Sequence, residues 1–283
     1  MGHWQSVLSF VRKHTRAGLR LLGVAILSFL LPNQLMTAPL PDGIAIEDMT
    51  WVDVRNAIQA GYTTVIVPTG GLEQNGPHMV IGKHDYIVSE AARQIAKDVG
   101  RVLVAPVVAF VPEGDYDPPT GHMRFPGTIG LPEPVFESVL DSIARSLKVA
   151  GFKTICFIGD HGQSQPAQSA VAKKLSDEWA KDGVRVVQID AYYDDKAQIA
   201  KLLDKGLLLQ QIGQHASIID TSELMSINPK GVDLSRYRSM TFGMEPNGAS
   251  GDPRFANAEL GADLLRMRVA AAASQIKAFL ATQ

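Results

Sequence analysis

Thr64-Val65-Ile66-Val67-Pro68 runs into Gly70-Gly71, then Glu73-Gln74-Asn75-Gly76-Pro77-His78 and Gly82-Lys83-His84-Asp85. An unbroken apolar run closed by a glycine pair reads as a strand buried on both faces, ended by a turn. Carboxylates and imidazoles crowd in directly behind it. Buried parallel strands collect ligands at their carboxyl ends, and these residue types bind metals.

The same alternation continues downstream. Apolar runs at 63–68, 102–108, 154–158 and 184–189 read as strands. Helical spacing is read at 85–99, 134–151, 165–183 and 258–280. Near-continuous apolar strands between helices predict an α/β fold with a mainly parallel sheet covered on both faces. Residues 39–283 contain no repeat or linker that would divide them, so they are expected to form one catalytic domain.

Residues 1–38 read differently. Arg12, Lys13, Arg16 and Arg20 precede the apolar run 21–31, stopped by Pro32, and no acidic residue occurs in the first forty. The run is shorter than the roughly 20 residues a membrane span needs. It fits the apolar core of a secretory signal peptide, with an uncleaved signal anchor as the alternative. The expected location is outside the cytoplasm, in the periplasm, with any membrane attachment through this segment alone. The formal net charge of −2, with both signs interspersed, gives no signal for nucleic acid. The single cysteine, Cys156, lies in an apolar run and reads as a small core residue.

Beyond residue 38 the histidines are His78, His84, His122, His161 and His215, and each falls in a polar loop. Gly159-Asp160-His161-Gly162-Gln163 follows the third strand. Gln214-His215-Ala216 precedes Asp220-Thr221-Ser222. The loop 112–127 carries Glu113, Tyr116, His122 and Arg124 and reads as a substrate-facing lid or subunit contact. Residues 244–254, rich in tight-turn residues, read as a connection whose backbone approaches the pocket.

In order along the chain, Glu73-Gln74 with Gly76-Pro77-His78, then Phe125-Pro126-Gly127-Thr128 after His122, then His161-Gly162, His215-Ala216 with Thr221-Ser222, and Gly251-Asp252-Pro253 resemble the creatininase (creatinine amidohydrolase) family. The resemblance implies a three-layer α/β/α sandwich, assembly as a homo-oligomer (often a hexamer) and metal-dependent hydrolysis of amide-type C–N bonds. It also exposes departures. Asn75 stands where the family motif has histidine, His84 where it has its metal-bridging aspartate, and Gln163 where creatininase has glutamate. Glu73 and His161 therefore match one metal position, while the second lacks its usual ligands.

Glu73, His84 and His161 form a His₂Glu set, a composition suited to catalytic zinc. One Zn²⁺ per chain is expected, with Mn²⁺ or a second ion as the alternative and Asp85 as the alternative ligand to His84. Asp85 also reads as a helix N-cap. The resemblance makes His215 the expected acid/base residue. Asn75 and Gln163 are read as orienting or oxyanion groups. His78, Tyr116, His122 and Asp220 are expected to shape the substrate pocket, Asp220 with metal ligation, orientation of His215 or helix capping as its alternatives. The substrate class is a small cyclic or peptide-like amide. An ester or lactone at the same site, or metal and ligand binding without turnover, are the competing readings.

Overall fold

The computed structural model describes residues 43–238 and 247–282. The expected signal segment, 1–38, lies outside them, as do residues 244–246 of the turn-rich 244–254 stretch. Strands β1 (Thr64–Thr69), β2 (Val102–Val104), β3 (Thr154–Gly159) and β4 (Arg185–Gln188) form one sheet in the order β2-β1-β3-β4. Every pairing is parallel. The helices are α1 (Trp51–Gln59), α2 (Lys83–Val99), α3 (Glu133–Ala150), α4 (Gln165–Glu178), α5 (Lys196–Asp204), α6 (Leu209–Ile212), α7 (Ile218–Ile227) and α8 (Ala258–Ala281).

Side chains along the strands alternate between two cores. Ile66, Cys156 and Ile158 pack with Ile87, Ala91 and Ile95 of α2 and Leu265, Val269 and Ile276 of α8. Val65, Val67, Ile155 and Phe157 face the other way, onto Ala57 of α1, Phe136 and Leu140 of α3, and Val171 and Leu175 of α4. The three-layer α/β/α sandwich follows from that division. Full burial of one such aliphatic or aromatic side chain contributes roughly 1.5–3 kcal/mol, so the two cores account for the unbroken apolar strands. Cys156, fully buried at the centre of the sheet, has its thiol pushed up to about 12 by burial. Among the described residues, no helix is long and apolar enough to cross a membrane.

Two of the expected elements end well before their expected limits. β2 stops at Val104 instead of reaching residue 108, because Pro106 has no N–H to give the ladder. Beyond Pro106 the chain rejoins the first strand at Val108, whose N–H donates to the Pro68 carbonyl at 2.9 Å and whose carbonyl accepts the Gly70 N–H at 3.0 Å. α4 ends at Glu178 instead of 183, after which Trp179 is buried and Gly183 turns the chain at φ 66°.

Asp85 is not the N-cap of α2. The helix begins at Lys83 with Gly82 as its cap, and Asp85 sits in its first turn. Its Oδ1 accepts the Gly71 N–H at 3.1 Å, stitching α2 to the end of β1. A Cβ on Gly70 would lie 1.8 Å from that oxygen, so the glycine pair is required there for close approach and not only for the turn.

Candidate metal centre

β1 and β3 pair to their last residues, Thr69 with Gly159, which places the segments after them side by side. Glu73 and His161 meet at this edge, with His161 Nε2 2.8 Å from Glu73 Oε2. His122 Nε2 lies 3.0 Å from the same oxygen, and Glu113 Oε2 is 3.1 Å from His161 Nε2. The loop carrying Glu113 and His122 is folded inward by its own backbone, the His122 N–H donating to the Glu113 carbonyl at 3.0 Å. One ligand atom from each of Glu73, Glu113, His122 and His161 falls within 4.8 Å of the others, and all four residues are buried.

These residues fit a divalent cation. The Glu113 carboxylate is fully buried, and neither oxygen has a hydrogen-bond donor of adequate geometry. Burying a carboxylate so poorly compensated is costly, and a cation between it and Glu73 removes the cost. Two carboxylates and two imidazoles also suit zinc or manganese as donors. Burial raises the Glu113 carboxyl, and the flanking His161 ring only partly offsets it. Burial would raise Glu73 too, but His161 and His84 override it and hold the carboxyl well below the usual range. Burial would lower His161. Glu73, then Glu113, win instead and carry its ring up to about 10.

The other oxygen of Glu73 has its own surroundings. Oε1 lies 2.7 Å from His84 Nε2, 3.6 Å from His215 Nδ1 and 3.8 Å from Lys83 Nζ. The other ring nitrogen of His84, Nδ1, is 2.7 Å from Asp160 Oδ2. Asp160 Oδ1 is held in turn by Tyr192 at 2.8 Å and Arg268 at 2.5 Å. His84 is thus fixed beside Glu73, but it stands outside the four-residue ligand group.

A cavity of about 190 Å³ opens onto Glu73, His122, His161, Gln163, His215 and Asp220. Of the residues expected from sequence, Glu73, His84, His161, His122, His215, Gln163 and Asp220 all line it. Gln74, which sequence reasoning passed over, orients two of the rings. Its amide nitrogen lies 3.0 Å from His122 Nδ1 and 3.0 Å from His215 Nε2. The turn at Asn247-Gly248 backs that amide so closely that a Cβ on Gly248 would lie 1.9 Å from its oxygen. Burial keeps His215 below its ordinary pKa, hence neutral near pH 7. Asp220 is the third residue of α7 and pairs with Ser217 in a capping box, while its Oδ1 faces Lys83 Nζ at 3.3 Å.

Four expected residues lie elsewhere. Asn75 donates to the carbonyls of Glu73, Val80 and Ile81 and ties the turn together. His78 is buried against Thr221 and Tyr237, with Nε2 3.0 Å from the Thr221 hydroxyl. Tyr116 is exposed and donates to the Gly130 carbonyl at 2.9 Å. Asp85, engaged by Gly71, points away from the cavity. Glu113 was legible only as one acid in a loop. The available signal was its pairing with His122 in one Gly/Pro-rich segment.

A family model described as creatinine amidohydrolase matches residues 47–276. The chain belongs to the creatininase family. Among curated relatives it is 24% identical to creatinine amidohydrolase of Pseudomonas putida over 198 residues, 68% of this chain and 75% of that one. It is 29% identical over 116 residues to the mycofactocin precursor peptide peptidase of Mycolicibacterium smegmatis, 39% of this chain and 44% of the peptidase. Two solved forms of creatininase share the fold. A mutant described as the Zn-Zn type has a TM-score of 0.69 at 22% identity, covering 84% of this chain and 98% of that one. A form described as creatininase Mn has a TM-score of 0.68 at 23% identity, covering 83% and 98%.

Proposed function

We propose that the protein hydrolyses an amide-type C–N bond in a small cyclic or peptide-like substrate, using one zinc ion held by Glu73, Glu113, His122 and His161. The observation that carries this reading is the buried Glu113 carboxylate, left without a donor across His161 from Glu73. Three of the four donors line the cavity, so one side of a held ion faces a substrate. Family membership supports amide hydrolysis, and relatives named as an amidohydrolase and as a peptide peptidase agree with that class.

A bound divalent cation supplies Lewis acidity, polarising a carbonyl and activating water near neutral pH. The chain supplies the rest. His215 is neutral and sits 3.6 Å from Glu73 Oε1, placed to take a proton from the attacking water and return it to the leaving nitrogen. Gln74 holds the His215 ring in place, and Gln163 at the cavity wall offers an amide donor to a carbonyl oxygen. Asp220 and Lys83 add a charged pair to the cavity lining and favour a polar substrate.

The test is metal analysis with a hydrolysis panel of cyclic amides, lactams and short peptides, with esters and lactones alongside. His161→Ala should lose metal and turnover together, and His215→Ala should keep metal and lose turnover. Turnover of esters alone would move the reading to the carbonyl–oxygen bond. Metal bound without hydrolysis of any class would make the protein a binding member of the family, and absence of metal would sink the site.

The basic and apolar N-terminal stretch supports export to the periplasm, tested by fractionating cells expressing the full chain. A homo-oligomer, with a hexamer as the particular expectation, is tested by light scattering.

A further inference from the structure

Lys83 is the unexpected member of this site. It is 1% exposed, among the most deeply buried large side chains of the protein. It opens α2, where the helix dipole disfavours a cation. A lysine is rarely buried unless it is paired, so its partners must hold it there. Those partners are Glu73 Oε1 at 3.8 Å, His84 Nε2 at 2.9 Å and Asp220 Oδ1 at 3.3 Å.

These three atoms are all of types that bind metal ions. His84 Nδ1 lies 2.7 Å from Asp160 Oδ2, while its Nε2 sits between Glu73 Oε1 at 2.7 Å and Lys83 Nζ at 2.9 Å. Asp160 thus orients His84 as an acidic partner orients a metal-bound histidine, although the cation facing it is an ammonium. The Glu73 carboxylate divides the site accordingly. Oε2 faces His122 and His161 of the metal group, and Oε1 faces His84 and Lys83.

We propose that the Lys83 ammonium fills a second cation position across Glu73, so that the protein pairs one metal ion with one fixed positive charge. The proposal rests on the metal reading above and deepens it, since it assigns the reason for a single ion. An ammonium supplies charge and hydrogen bonds without an open coordination position. It can hold an anionic group of a substrate or steady developing negative charge, but it cannot take a ligand oxygen into a coordination shell.

The test is zinc stoichiometry on the purified full chain in excess Zn²⁺, followed by anomalous scattering from crystals. The wild type should bind one zinc, on the Glu113 side of Glu73. Lys83→Met removes the charge at similar length and should bind two, the second on Glu73, His84 and Asp220. Adding His84→Ala should return the count to one, and Lys83→Arg, which keeps a cation, should stay at one. A folded Lys83→Met protein that still binds one zinc overturns the proposal. So does a wild-type chain that binds two, or a wild-type anomalous peak on His84 and Asp220. If Lys83→Met fails to fold, the wild-type map and the Lys83→Arg count decide. A wild type binding no zinc fails the metal reading itself, a result distinct from one ion persisting in Lys83→Met.

Discussion

Nδ1 of His84 donates to Oδ2 of Asp160 at 2.7 Å, so the residue that follows β3 fixes a ring carried by the first turn of α2. The same carboxylate receives Arg268 of α8 and the Tyr192 hydroxyl on its other oxygen. Asp160 therefore joins three separate elements beneath the site. Asp160→Ala leaves buried Arg268 with Glu223, at 3.5 Å, as its one remaining close ion pair among the described residues. Breaking a buried pair this way costs about 3–5 kcal/mol. Urea denaturation should show a loss of that size, and a loss below about 1 kcal/mol would contradict the linkage.

Glu113→Gln should separate stability from metal affinity. In the metal-free protein the substitution removes a poorly compensated buried charge but also one of the two carboxylates that stabilise protonated His161, so apo stability should change by no more than about 1–3 kcal/mol. The same change removes one anionic ligand, so zinc affinity should fall. Thermal melts with and without zinc read both effects. Unchanged zinc affinity would place Glu113 outside the metal group.

Zinc binding should release a proton from His161. In the metal-free site its ring is held protonated up to about pH 10, against burial, by Glu73 and Glu113. A ligand imidazole must be unprotonated, so a metal has to displace that proton. Affinity should then tighten as pH rises from 6 toward 9. Calorimetry in buffers of different ionisation enthalpy counts the protons directly, and a count of zero would mean that His161 does not bind the ion.

His78 should make stability fall in mild acid. Burial lowers its pKa from 6.5 to about 4, so the unfolded chain takes up a proton in a range where the folded protein does not. Its contribution is complete above about pH 6.5 and is lost as pH falls through about 4. The shift corresponds to at most about 3 kcal/mol. Denaturation midpoints should be less steep in pH over this range for His78→Gln than for the wild type. Equal slopes would remove His78 as a source of acid sensitivity.

The sheet was legible because burial on both faces leaves little room for polar residues in β1 and β3, and the ligand-rich segments stood where those strands end. Glu73 and His161 could be placed from that logic alone. The loop residues could not. Glu113 and His122 lie in a segment without periodicity and reach Glu73 only through tertiary folding. Asp85 misled for a related reason. A local capping signal was outweighed by the Gly71 N–H, which drew its carboxylate inward while the helix began two residues earlier. Lys83 gave no local sign of burial: besides the adjacent His84, it is held by Glu73, beyond the end of β1, and by Asp220 of α7, more than a hundred residues away.

Cys156 turns the centre of the sheet into its own reporter. Its thiol is fully buried between β1 and β4 and is pushed up to about 12, so it carries almost no reactive thiolate while the fold is closed. A thiol reagent added to the native protein can modify it only when the layers part. Labelling rates would then time the opening of this sheet without any engineered probe, and zinc should slow them by holding the ends of β1 and β3 together.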